Sequence, residues 1–101
     1  MKLRWTRLAL QDMRHLHEYI AEDNPAAASQ MVARIQEASQ NLKKHPQMGK
    51  EGRCKGTREL VIAKTPYIVV YVIRGNEIQI VAVIHGSMRW PETLPEEEGK
   101  G

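Results

Sequence analysis

Apolar positions change their period along this chain of 101 residues. Lys2 to Trp5 reads as a short strand. After it, Ala9, Met13, Leu16 and Ile20 recur at helical spacing, with Leu8 and Tyr19 alongside. That spacing predicts an amphipathic helix from Arg7 to about Glu22. Thr6 is its expected N-cap, because a hydroxyl can accept from a free N–H of the first turn. Asp23-Asn24-Pro25 breaks the pattern. Asn24 then caps, and Pro25 opens, a second helix, since the N–H that proline lacks would be unpaired there anyway. Ala28, Met31, Val32, Ile35, Ala38 and Leu42 form its stripe, which ends before His45-Pro46. Two helices joined by so tight a break predict an antiparallel hairpin.

Downstream the period shortens. Residues 45–57 carry Pro46, Gly49, Gly52 and Gly56 among Lys50, Arg53 and Lys55, and read as a basic loop. Arg58 to Ala63 is the next expected strand, and Thr65-Pro66 turns the chain. Two β-branched runs follow, 67–73 and 78–85, joined across Gly75-Asn76, a strong hairpin signal. The order β-α-α-β-β-β predicts an α+β fold, with an antiparallel-rich four-stranded sheet packed on an N-terminal helical hairpin. The central strands are apolar at nearly every residue and need cover on both faces. Two helices cover one, so part of the other face is expected to meet a partner. After Trp90-Pro91 the composition turns to Glu, Pro and Gly, which predicts a domain over 1–91 and an acidic, flexible tail over 92–101.

Composition narrows the classes. A chain of this length buries roughly 60–70% of its unfolded surface, enough for one core without a deep cavity. No run approaches the ~20 apolar residues of a membrane helix, and no signal-peptide pattern opens the chain. The lone cysteine, Cys54, excludes an internal disulfide. The expectation is a cytoplasmic protein. The net charge of +3 is unevenly spread. Residues 7–44 balance five basic against five acidic side chains, whereas 45–91 hold seven basic against three acidic. The sheet half is therefore where an anionic partner would meet the chain, unless these are ordinary solvated lysines.

Candidate chemistry is sparse. His15 and His17 point to different helix faces, His45 and His85 are isolated, and no Cys/His spacing suits zinc. No metal and no cofactor is expected. Cys54 has no identifiable base partner and reads as a surface cysteine without a role. A phosphate-directed set is the better candidate. Arg58 and Glu59 at a strand start, with His85 and Arg89 at the end of the last strand, would serve metal-free RNA cleavage if they converged. The plain alternative makes Arg58 and Glu59 structural pairs at the sheet margin, with Trp90 packed over it.

The ordered set of local patterns resembles the RelE/ParE superfamily of bacterial type II toxins over roughly residues 2–91. It runs through Ala9, Glu18-Tyr19-Ile20-Ala21, Asn24-Pro25-Ala26-Ala27-Ala28, Leu42, Pro46 and Gly49. It continues through Gly56-Thr57-Arg58-Glu59-Leu60, Tyr67-Ile68-Val69-Val70-Tyr71 and Ile84-His85-Gly86-Ser87-Met88-Arg89-Trp90-Pro91. The resemblance implies a growth-inhibiting toxin neutralised by a cognate antitoxin whose C-terminal segment wraps it, by strand addition or helix-in-groove packing. A toxin dimer and a toxin–antitoxin hetero-oligomer both remain open. It also implies one of two targets. RelE-like members cut mRNA on the ribosome with basic and acid–base residues; ParE-like members poison DNA gyrase without them.

Departures favour the second. RNA-cutting relatives usually carry an arginine where this chain has Ile68, and a basic cluster on the preceding strand where only Arg58 matches. A catalytic tyrosine near the C-terminus is also missing. The expected target-binding residues are Arg58, Arg74, Met88, Arg89 and Trp90. Under the alternative, a ribosome-dependent endonuclease, Arg58 and Arg89 would hold phosphate and His85 would move the proton. Many relatives carry a basic residue where Met88 stands, which leaves a third reading, an attenuated toxin that retains only antitoxin binding.

Overall fold

A computed structural model describes residues 1–87. Met88, Arg89, Trp90 and the 92–101 tail, with the domain boundary at 91, lie outside the described residues. The elements are β1 (Lys2–Trp5), α1 (Arg7–Ala21), α2 (Pro25–Gln40), β2 (Lys50–Glu51), β3 (Arg58–Val61), β4 (Tyr67–Arg74) and β5 (Glu77–His85). A 3-10 turn at Asn41–Lys43 extends α2. The sheet order is β1-β5-β4-β3-β2, antiparallel except for the parallel β1–β5 pair.

Both predicted helix caps form. Thr6 accepts from Ala9 N–H at 3.3 Å and its hydroxyl donates to the Ile80 carbonyl at 2.8 Å, so one buried side chain starts α1 and ties it to β5. Asn24 Oδ1 accepts from Ala27 N–H at 3.0 Å, with Pro25 at the first helical position. The hairpin turns on Gly75 with φ +59°, while Asn76 keeps a negative φ. Positive φ at the first turn residue alone is the II′ pattern, whose twist matches that of the strands.

The sheet has five strands rather than the expected four. β2 is two charged residues, Lys50 and Glu51, paired with Glu59 and Arg58, and no apolar alternation betrays so short a strand. β3 stops at Val61 instead of Ala63. Cys54, expected at the surface, is 5% exposed.

The helices and one sheet face share the main core, in which Met13, Leu16 and Ile35 meet Leu60, Val69, Tyr71, Ile78, Ile80 and Val83. Ile80 pairs with Tyr71 but Ala82 with Val70, so Val81 is an extra residue, a β-bulge. The bulge shifts the inward phase from Ile78 and Ile80 to Val83. On the face away from the helices, Ile68, Val70 and Ala82 form a second buried cluster, joined by Val81 and Ile84. The part of this face expected to stay unsatisfied is thus largely apolar and buried. Val61, 56% exposed, is the exception.

Candidate functional site

Two places in the sheet are built for more than packing, one at each edge. The first is where β1 ends. β1 pairs with β5 only from Glu77 to Ile80, and Thr6 N–H closes that ladder on the Ile80 carbonyl at 3.1 Å. Beyond Ile80 the outer edge of β5 has no strand partner among the described residues. Asp12, on α1, reaches this edge and accepts from Val83 N–H at 3.0 Å. Burial raises its carboxyl pKa above the usual 3.8, against the opposing Val83 hydrogen bond and the nearby His15.

An open groove of about 750 Å³ runs beside this edge, lined by Leu16, Tyr19, Ile20, Met31, Tyr67 and Val83 among others. Tyr19 is 74% exposed on its rim. Burial, with Tyr19 close by, pushes the Tyr67 phenol above its ordinary value. At the groove's end the Tyr67 and His85 rings meet edge-on, with centroids 5.6 Å apart. His85 Nδ1 accepts from Ser87 N–H at 3.1 Å.

The second place is the loop between α2 and β3. Its backbone is stapled to the sheet by side chains. Buried Tyr71 donates its hydroxyl hydrogen to the Pro46 carbonyl at 2.7 Å and accepts from Gly49 N–H at 3.0 Å. Arg58 donates Nε and Nη2 to the Gly49 carbonyl at 3.0 and 2.6 Å, and Nη2 also to the Gln47 carbonyl at 3.1 Å. Glu59, 2% exposed, accepts from Arg53 N–H at 2.8 Å, with the Arg53 guanidinium 3.7 Å away. Thr57 donates to the Cys54 carbonyl at 2.6 Å. Gly49 is obligatory here: a Cβ would lie 2.7 Å from the Glu59 carbonyl oxygen and 2.8 Å from the Tyr71 hydroxyl.

Among the described residues, Arg58, Arg74 and His85 do not gather into one site. Arg58 lies opposite Tyr71 and His85 opposite Tyr67, on the neighbouring strands to either side of β4. Strand spacing puts them on the order of 16 Å apart. Glu59, one residue from Arg58, faces the other side of the sheet. Arg74 is exposed at the hairpin turn. Met88, Arg89 and Trp90 lie outside the described residues. Ile68, where RNA-cutting relatives carry arginine, packs with Val70 and Ala82. Among the described residues, no group of three His, Cys, Asp or Glu side chains could hold a metal ion. No helix among them is long and apolar enough to cross a membrane.

Three features were missed in the sequence: Asp12, the loop anchor Tyr71 and the exposed Tyr19. Asp12 left a signal, since a carboxylate three residues after Ala9 and four before Leu16 interrupts an apolar stripe. Tyr71 left none, because its partners, the Gly49 N–H and the Pro46 carbonyl, are 22 and 25 residues away.

Comparison with known proteins bears on this geometry. Residues 3–90 match the family described as ParE toxin of type II toxin-antitoxin system, parDE. The chain is 42% identical over 93 residues to "Putative toxin Y4kP" of Sinorhizobium fredii, covering 92% of this chain and 96% of that protein. It is 31% identical over 83 residues to "Toxin RelE2" of Caulobacter vibrioides, covering 82% and 92%. Among solved structures, a chain of the chromosomal ParDE TA system from P. aeruginosa is similar at a TM-score of 0.76 and 27% identity. That match covers 84% of this chain and 95% of the other.

Proposed function

The chain belongs to the ParE toxin family of type II toxin–antitoxin systems, and from that premise we propose that it arrests growth by interfering with DNA gyrase and is neutralised by a cognate antitoxin. The observation that carries the choice of target is Ile68. RNA cleavage needs a cation on the phosphate at the reacting centre. At the position where RNA-cutting relatives supply one, this chain has an aliphatic side chain buried among Val70 and Ala82. Arg58 supports the same reading, because its Nε and Nη2 are committed to loop carbonyls. In this proposal Arg58 serves the target surface by holding the loop, with Arg74, Met88, Arg89 and Trp90 as further contacts.

The antitoxin segment docks along the outer edge of β5 and the adjoining groove. An extended peptide can continue a ladder that β1 leaves at Ile80, and Tyr19, Ile20 and Met31 offer apolar surface beside it. The likeness to a ParDE system supports a partner of this kind.

The test sets purified protein against gyrase with supercoiled plasmid, and in parallel against translating ribosomes with a reporter mRNA. Inhibited supercoiling with intact message is expected. Cleaved message with unaffected gyrase would overturn the choice of target.

A further inference from the structure

We infer that the stapled loop between α2 and β3 is a binding surface for the phosphodiester backbone of nucleic acid. The inference does not rest on gyrase as the target, since nucleic acid is present at either candidate target. From Lys43 to Glu59 the chain holds six basic side chains (Lys43, Lys44, Lys50, Arg53, Lys55 and Arg58) against Glu51 and Glu59. Glu59 is buried beside Arg53, so Glu51 is the exposed carboxylate of the segment. The four lysines are all exposed.

Such a cluster would normally relax. Like charges on a loose loop spread apart and lose little, whereas a backbone held in one shape limits how far they can spread and costs self-repulsion. This loop is fixed. Tyr71, Arg58, Glu59 and Thr57 each hold a part of its backbone, and glycines at 49 and 52 admit the close approach. The ordering entropy that a ligand would otherwise have to supply is thereby already met in the free protein.

The composition of the loop selects the partner. A protein interface needs apolar anchors at its centre. Of the large hydrophobic side chains exposed in the described fold, only Met48 falls in this segment. Phosphates need cations alone, and lysine meets them as a point charge. The segment contains no Trp or Tyr for stacking on bases, so binding is expected to be insensitive to sequence and strongly salt-dependent.

The test uses the full chain and a fluorescently labelled 20-base-pair DNA duplex, followed by anisotropy across a salt series from about 50 to 200 mM. Lys44→Glu/Lys55→Glu is compared with Arg7→Glu/Arg14→Glu, a pair of equal charge change on exposed positions of α1. Thermal melts confirm that both variants fold. The loop variant is expected to lose roughly 30-fold or more in affinity, with a shallower salt slope by about two, and the helix variant to stay within about threefold. A duplex RNA of the same sequence reads which nucleic acid is held more tightly, and the loop variant should lose affinity for it too. Equal losses in the two variants would show only net charge at work and overturn the inference. So would absence of wild-type binding at the lowest salt, or displacement by polyglutamate as effective as displacement by unlabelled duplex at equal charge. The assay contains no gyrase, so its failure and that of the gyrase reading are separately visible.

Discussion

The two edges of the sheet are finished in opposite ways. At the β5 edge the ladder stops early, and a single carboxylate, Asp12, occupies the next N–H. At the β2 edge the strand is two residues long, yet the loop around it is held by three side chains reaching from the sheet, Tyr71, Arg58 and Glu59, and by Thr57 within the loop. Few contacts need to break for a strand to add beside β5. Many would have to break for the loop to change shape. An edge left open suits a partner that folds onto the protein, and a fixed charged edge suits one that is already rigid.

The largest effect should come from removing the loop's central staple. Tyr71→Phe leaves Gly49 N–H without its acceptor in a buried position, which costs about 1–3 kcal/mol. Melting temperature should fall, and amide exchange should accelerate at Gly49 and Lys50 but not at Val83. Equal acceleration at both edges would erase the distinction between them.

Next in size is Tyr19→Ala. Its side chain is 74% exposed, so stability should move by less than about 0.5 kcal/mol. Antitoxin binding, read by calorimetry, should weaken about tenfold, the loss expected of an aromatic anchor worth ~1.4 kcal/mol. Unaltered affinity would remove the groove from the antitoxin site.

Asp12→Asn sharpens the comparison through pH. The folded-state pKa of Asp12 is raised from 3.8 by burial, so the native state holds this proton more tightly than the unfolded chain. Stability contributed by the group is therefore present at low pH and lost as pH rises from about 3.8 through the raised value. In Asp12→Asn denaturation titrations that decline should vanish, with neutral-pH stability at least equal to wild type. A decline that persists would assign it to another group.

The smallest effect is a control at neither edge. Lys64 sits in the β3–β4 turn at φ 63°. Lys64→Gly removes left-handed strain at the cost of chain entropy, and should raise stability by up to about 1 kcal/mol in a thermal melt. Both binding activities should be unaffected.

How legible these edges were in the sequence follows from where their bonds go. Thr6, Asn24-Pro25 and Gly75-Asn76 act within three or four residues, so the helix starts and the hairpin could be read directly. The bulge at Val81 could not, because Val81-Ala82-Val83 is apolar throughout and either phase satisfies it. β2 was invisible because it is two charged residues, Lys50 and Glu51, paired with Glu59 and Arg58, with no apolar alternation to mark it. The basic character of the loop was evident from composition; its rigidity was not. Arg58 was singled out for chemistry, and the structure shows what its donors hold.

The most direct test of the division between edges is growth inhibition in a bacterial host, with and without a co-expressed cognate antitoxin, for Tyr19→Ala and Lys44→Glu/Lys55→Glu. The account predicts that Tyr19→Ala stays toxic but is poorly rescued, while the lysine variant loses toxicity yet still binds antitoxin in a pull-down. Two variants that lose toxicity and antitoxin binding together would contradict it.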